Sequence, residues 1–111
     1  MGLFTRIART DPDGLAERLG GRGVFVLDVR QPSEWRHGHI RGSENVPLAQ
    51  LTRRLDRFPR DRTIVTVCAS GHRSAVAARA LRRAGYEVEN LKGGMHAWAR
   101  RKLPIEKRRA R

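Results

Sequence analysis

Thr63-Ile64-Val65-Thr66-Val67-Cys68-Ala69-Ser70-Gly71-His72-Arg73-Ser74-Ala75 is the stretch that decides how this chain folds. Its first five residues are all β-branched, the side chains that best fit a pleated surface, and they predict a strand over 63–67. From Ser74 the pattern turns helical. Val76, Ala77, Ala80, Leu81 and Ala84 share one face, while Arg79, Arg82 and Arg83 point away, and Gly85 stops the run. Tyr86-Glu87-Val88-Glu89 then alternates as a strand does. A strand feeding a helix that returns to a strand is the unit of an α/β fold.

The flanking sequence repeats this alternation. Upstream, Val24-Phe25-Val26-Leu27 is a short, nearly continuous apolar run after a Gly-rich turn, which suits a strand covered on both faces, and Asp28-Val29-Arg30 closes it. Before it, Thr5-Arg6-Ile7-Ala8 reads as a short strand. Asp11 and Pro12 then open a helix, with Leu15 and Leu19 on one face and Gly20-Gly21 at its end. Residues 31–45 read mainly as loop, with one helical turn near Ser33-Glu34-Trp35. Leu48, Leu51 and Leu55 follow Pro47 at helical spacing. Downstream, Gly93-Gly94 is a turn, and Met95 to Arg101 suits a last short helix. The fold class expected is α/β, with a central, mainly parallel sheet flanked by helices. Ligands in such folds bind beyond the carboxyl ends of the strands, and Cys68 stands at one of those ends.

Length and composition bound the rest. With 111 residues the chain makes one domain, and 39% hydrophobic residues suffice for one modest core. No run approaches the ~20 apolar residues of a membrane span, and the first residues, Met1 to Arg6, hold no apolar signal stretch. A single cysteine excludes an intrachain disulfide and a multi-cysteine metal site, and the simplest location is a reducing cytoplasm. The net charge of +13 comes from 24 basic and 11 acidic residues, and 21 of the basic ones are Arg. Arg100 to Arg111 alone carry seven basic residues and one acid. This charge attracts anions but says nothing about fold. The domain is therefore placed over 1–101, with 102–111 as a basic tail that has little to bury. The tail lacks interleaved aromatics and any RNA-binding motif, which argues against nucleic acid as its partner.

The loop after Val67 can curl so that its backbone N–H groups converge above the cysteine sulfur. The following helix adds its free amides and positive dipole end, Arg73 adds a charge, and His72 can add another. Such a field favours thiolate over thiol, so the same geometry builds a reactive cysteine and an anion pocket. The bland alternative is a buried, inert cysteine at a strand end. The polar loop, Gly71, Arg73 and the helix start argue against it. His37, His39, His72 and His96 have no Cys or carboxylate at metal-ligand spacing, so no metal site is expected. His39 is expected to hydrogen-bond within its loop, and Trp35 and Trp98 to pack the core or its rim.

These residues resemble the single-domain rhodaneses. The loop is similar to that family's active-site pattern Cys-x-x-Gly-x-Arg-Ser. The upstream stretches Leu27 to Trp35 and Gly38 to Leu48 resemble its first signature. Ala84-Gly85-Tyr86 and Leu91-Lys92-Gly93-Gly94-Met95-His96-Ala97-Trp98 resemble its closing one. The similarity runs from about Asp11 to Trp98.

The resemblance implies a five-stranded parallel sheet and sulfurtransferase chemistry, with Cys68 as the catalytic nucleophile and no metal or organic cofactor. Ala69, Ser70, Gly71, His72, Arg73 and Ser74 would bind the substrate. Asp28 and Arg30, in the first signature, are expected to act as structural support for the loop over 31–45. The implied donor is a small sulfane anion such as thiosulfate. The implied acceptor is cyanide, a small thiol or a protein thiol.

Three other functions compete with this one. Phosphatases and arsenate reductases on the same fold lengthen the loop to five residues between Cys and Arg, whereas only four separate Cys68 from Arg73 here. Non-enzymatic rhodanese modules that bind or regulate proteins commonly lack the cysteine, which this chain keeps. A nucleic-acid-binding role would rest on charge alone.

Overall fold

The computed structural model describes residues 6–108, so the outer ends of the sequence, Thr5 and residues 109–111 of the expected tail included, lie outside the described residues. Strands β1 (Ala8–Thr10), β2 (Val24–Asp28), β3 (Glu44–Asn45), β4 (Thr63–Val67) and β5 (Val88–Leu91) form one sheet in the order β1-β5-β4-β2-β3. Every strand pair is parallel, as the buried runs over 24–27 and 63–67 predict. Helices α1 (Pro12–Arg18), α2 (Pro32–His37), α3 (Leu48–Leu51), α4 (His72–Arg83) and α5 (Gly94–Arg100) complete the chain.

The strand period of two sorts the side chains into two cores. On one face Val24, Val26, Val65, Val67 and Leu91 pack with Leu15 of α1 and with Met95 and Trp98 of α5. On the other, Leu27, Ile64, Cys68 and Val88 pack with Leu51 of α3 and with Ala77, Ala78 and Leu81 of α4. No helix among the described residues is long and apolar enough to cross a membrane.

Several elements depart from the sequence expectation, each for a non-local reason. The first strand is Ala8–Thr10 and leaves out Arg6 and Ile7 of the expected stretch, because its register is set by pairing with β5, Ala8 opposite Glu89 and Thr10 opposite Leu91. The loop over 31–45 holds a full helix, α2, and a two-residue strand, β3, that pairs Glu44 and Asn45 with Leu27 and Asp28. The spacing of Leu48, Leu51 and Leu55 yields only the single turn α3; Leu55 packs against the core from the turns that follow. β5 begins at Val88, since the Tyr86 amide closes α4 by donating to the Leu81 carbonyl at 3.2 Å.

The largest departure is at the carboxyl end. Residues 102–108 fold back over the β2–β3 connection. His39 and Glu106 exchange backbone hydrogen bonds of 2.9 and 2.8 Å, and the buried Trp98 Nε1 donates to the Pro104 carbonyl at 2.9 Å. Leu103 packs against the second core. The segment buries little, Leu103 alone being half-buried, but its backbone groups make it a strap.

Candidate active site

Cys68 follows β4 directly and is 1% exposed. Gly71 makes the turn beneath it possible. Its φ of 108° lies in the left-handed region, where a side chain is strained, and it caps α4. This explains why α4 starts at His72, two residues before the helical pattern shows: a glycine cap leaves no Ser, Thr or Asp signature. The turn brings the Gly71 amide to 3.0 Å and the Ser74 hydroxyl to 3.2 Å from the Cys68 sulfur, both donating to it. Burial pushes the thiol pKa up. The Ser74 hydroxyl and the amides of Ser74, Gly71 and Ser70 outweigh it, so the pKa lies below its ordinary value. The donors around the sulfur are neutral, and thiolate is the form they favour.

The expected substrate-binding residues come together here. Ala69 and Ser70 form the crest of the loop, and Ser70 Oγ lies 3.0 Å from His72 Nδ1. Ser74 is fully buried beneath the sulfur. Arg73 departs from the picture of a cation aimed at the sulfur. Its guanidinium forms a fork with Glu34 at the start of α2, Nη1 to Oε1 at 2.8 Å and Nη2 to Oε2 at 3.0 Å. The Arg73 fork, opposed by some burial and helped by the Gln31 amide, lowers the Glu34 pKa from 4.5 to about 2.

Asp28 and Arg30 make a buried ion pair. Arg30 Nη2 donates to Asp28 Oδ2 at 2.8 Å and to the Gly38 carbonyl at 2.7 Å, and the Arg30 amide donates to Asp28 Oδ1 at 3.0 Å. The pair ties the end of β2 to the far side of α2. His39 packs there too: its ring stacks on Trp35 at 3.7 Å, and its Nδ1 meets the Trp35 carbonyl at 2.7 Å.

Three supports were not legible as such in the sequence. The Met95 and His96 amides donate to the Cys68 and Ala69 carbonyls at 2.8 and 2.9 Å, so the start of α5 anchors the loop from behind. That approach requires Gly94, because a Cβ there would run into both carbonyl oxygens. Asn90 Nδ2 donates to the Gly71 carbonyl at 3.1 Å, while its Oδ1 accepts from Thr66 Oγ1 at 3.2 Å. The Gly93-Gly94 pair carried a signal for the second support, but only as a turn. Glu34 and Asn90 carried none, since their partners lie 39 and 19 residues away.

A profile for the rhodanese-like domain matches residues 11–101. A protein of Allochromatium vinosum named sulfurtransferase is 39% identical over 97 residues, which cover 86% of this chain and 91% of that one. The uncharacterized protein YqhL of Bacillus subtilis is 42% identical over 82 residues, covering 73% of this chain and 65% of YqhL, just under two thirds of that relative's length. Among solved structures, a rhodanese-related protein from Thermoplasma volcanium superposes with a TM-score of 0.84 at 30% identity, covering 89% of this chain and 97% of that one.

Proposed function

The chain belongs to the rhodanese-like domain family, and from that membership we propose that it is a sulfurtransferase working through a persulfide on Cys68. The observation that carries the reading is the pair of neutral donors on one buried sulfur, the Gly71 amide at 3.0 Å and the Ser74 hydroxyl at 3.2 Å.

In the first step the Cys68 thiolate attacks the outer sulfur of thiosulfate. A sulfur–sulfur bond forms to Cys68, the bond between the outer sulfur and the sulfonate breaks, and sulfite leaves with the electron pair. In the second, cyanide or a thiolate attacks the outer persulfide sulfur, and Cys68 leaves as thiolate. Charge balances in each step, and neither needs an oxidant, a metal or an organic cofactor. The loop stabilises both anionic forms of the cysteine, thiolate and persulfide, with dipoles already in place. Ala69 to Ser74 form the cradle for the donor, and Asp28 with Arg30 supports it from the next loop. Thiosulfate is the donor that tests the chemistry, and a reducing cytoplasm is the compartment that suits a lone working thiol.

The test is mass spectrometry of the protein after incubation with thiosulfate. The expected result is a gain of one sulfur, removed by cyanide, and no gain in Cys68→Ser while its circular dichroism stays native. A wild-type protein that gains no sulfur from thiosulfate or from any persulfide donor would leave a binding module on the same fold.

A further inference from the structure

A groove of about 830 Å³ opens beside the cysteine loop, with Ser70, Gly71 and His72 at one end. It runs outward from the cradle for the donor and shares Ser70, Gly71 and His72 with it, including the Gly71 whose amide donates to the sulfur. One wall is a stripe of α4 in which His72, Ala75, Arg79, Arg82 and Arg83 follow one another at helical spacing. The other is the edge of the sheet, with Arg6, Arg9 and Lys92.

The lining holds six Lys and Arg side chains and no acid. The four salt bridges among the described residues use Arg18, Arg30, Arg73 and Arg101, so Arg9, Arg79, Arg83 and Lys92 have no carboxylate at ion-pair distance. Like charges gathered around one groove repel one another, and a multiply charged anion relieves that repulsion.

Size and layout narrow the anion further. The volume is that of a site for one small molecule. No Phe, Tyr or Trp lines the groove, so it lacks the stacking platform of a single-strand nucleic-acid site. Along α4 the lining residues nearest the loop are His72 and Ala75, and the lining arginines stand seven to eleven residues beyond His72, while on the sheet wall Arg9, paired with Asn90, and Lys92, before Gly93, flank the loop end. At 1.5 Å per residue the α4 arginines lie about 10–16 Å from His72. A ligand whose reactive atom reaches the loop and whose charge meets those arginines would therefore carry that charge at the end of an extended arm. Thiosulfate is too short to do this.

We propose that the groove binds the sulfur acceptor, and that the acceptor is a small thiol whose arm ends in several phosphate charges. The proposal rests on the sulfurtransferase reading of Cys68. In the transfer, the acceptor thiolate attacks the outer sulfur of the Cys68 persulfide, a new sulfur–sulfur bond forms on the acceptor, and Cys68 departs as thiolate.

The test uses three thiols that share one arm and differ in charge: pantetheine, 4′-phosphopantetheine and coenzyme A. The full chain is loaded with sulfur from thiosulfate or a persulfide, and loss of the extra mass is timed near physiological salt. The rate should rise along the series, by at least about tenfold from pantetheine to coenzyme A, in the range that electrostatic steering supplies. In the double variant Arg79→Gln/Arg83→Gln, loading and the pantetheine rate should stay as in the wild type, while the advantage of coenzyme A collapses. Equal rates for the three thiols, or an advantage that survives the double variant, would overturn the proposal. So would displacement of coenzyme A by a single-stranded RNA at lower concentration than by adenosine 3′,5′-bisphosphate, which would make the groove a polymer site. If Cys68 cannot be loaded, the sulfurtransferase reading fails instead, and calorimetry of coenzyme A with wild type and double variant still decides whether the groove binds such anions.

Discussion

Asp28 ends β2 opposite Val67, and Cys68 follows Val67 at the end of the neighbouring strand β4, yet the two loops hold their acidic groups in opposite ways. Asp28 is closed by a full counter-charge: Arg30 grips both carboxylate oxygens in a buried fork and spends another N–H on Gly38. Cys68 is held chiefly by dipoles, above all the Ser74 hydroxyl and the Gly71 amide, with the Arg73 charge acting only from a distance. The cation in its own loop, Arg73, is turned aside to Glu34. A fork like that of Arg30 would occupy the sulfur as it occupies Asp28. Dipoles stabilise the charge and leave the lone pairs free to attack. One loop is built to be finished, the other to receive something.

The comparison breaks most visibly at Asp28. Asp28→Asn leaves the Arg30 guanidinium, 7% exposed, without its carboxylate. Removing one partner of a buried pair costs about 3–5 kcal/mol. Urea denaturation should show a loss of that size, while the folded fraction keeps a reactive Cys68. A variant within about 1 kcal/mol of wild type would mean that the pair does not hold the β2–β3 connection.

The strap at the carboxyl end reinforces the same finished loop. Deleting residues 102–111 strips the Trp98 indole of its Pro104 acceptor, unpairs His39 from Glu106 and removes Leu103 from the second core. An unsatisfied buried donor costs about 1–3 kcal/mol, partly relieved where water can enter. A loss of about 2 kcal/mol is expected in thermal or urea unfolding, with no change in the alkylation rate of Cys68. Unchanged stability would show that the strap contributes nothing to the fold.

Sequence reading reached the receiving loop much better than the finished one, for physical reasons. β4 and α4 are written locally, in a β-branched run and an alanine-leucine stripe, and the sulfur sits between them. The 31–45 connection is held by contacts that leave no local pattern: Arg30 to Gly38, Asn45 to the Asp28 and Arg30 carbonyls, Trp35 Nε1 to Ser43 Oγ. β3 exists only because β2 offers it an edge. The strap was hidden by charge, since its Lys and Arg residues suggest a solvated end while its anchors are backbone groups. Within the site, the expected direction of the Cys68 pKa has neutral donors as its cause, and Arg73 was hidden by a partner on another helix.

On the receiving side, Ser74→Ala removes the strongest of the donors that oppose burial. Hydrogen bonds to a charged group contribute about 1.5–3 kcal/mol, so the thiol pKa should rise by at least about one unit. Thiolate, the reacting form, then becomes scarcer, and alkylation should slow about tenfold at pH below the wild-type inflection, the difference vanishing above both inflections. The inflection of rate against pH should lie below the free-thiol value of about 8.5 in the wild type and move up in the variant. An unmoved inflection would return the shift to some group other than Ser74.

The smallest effect sharpens the comparison most, because it pushes Cys68 toward the arrangement at Asp28. Glu34→Gln removes the carboxylate that draws Arg73 aside. Both partners of this ion pair are about one third exposed, 38% and 34%, so the pair contributes under about 1 kcal/mol. The sign follows from the lowered pKa, from 4.5 to about 2. Glu34 stabilises the fold fully above 4.5, and that contribution is lost as the pH falls from 4.5 through about 2. Wild type should therefore exceed the variant slightly in urea midpoint near neutral pH, and the gap should close on acidification across that window. Meanwhile the released guanidinium lies one residue from Ser74, free to bias the sulfur. The Cys68 alkylation inflection should move down in Glu34→Gln, opposite to Ser74→Ala, as a full charge joins the dipoles. If it stays where it is, Arg73 does not act on the sulfur even when unpaired, and the separation of counter-charge from nucleophile is set by backbone geometry rather than by Glu34.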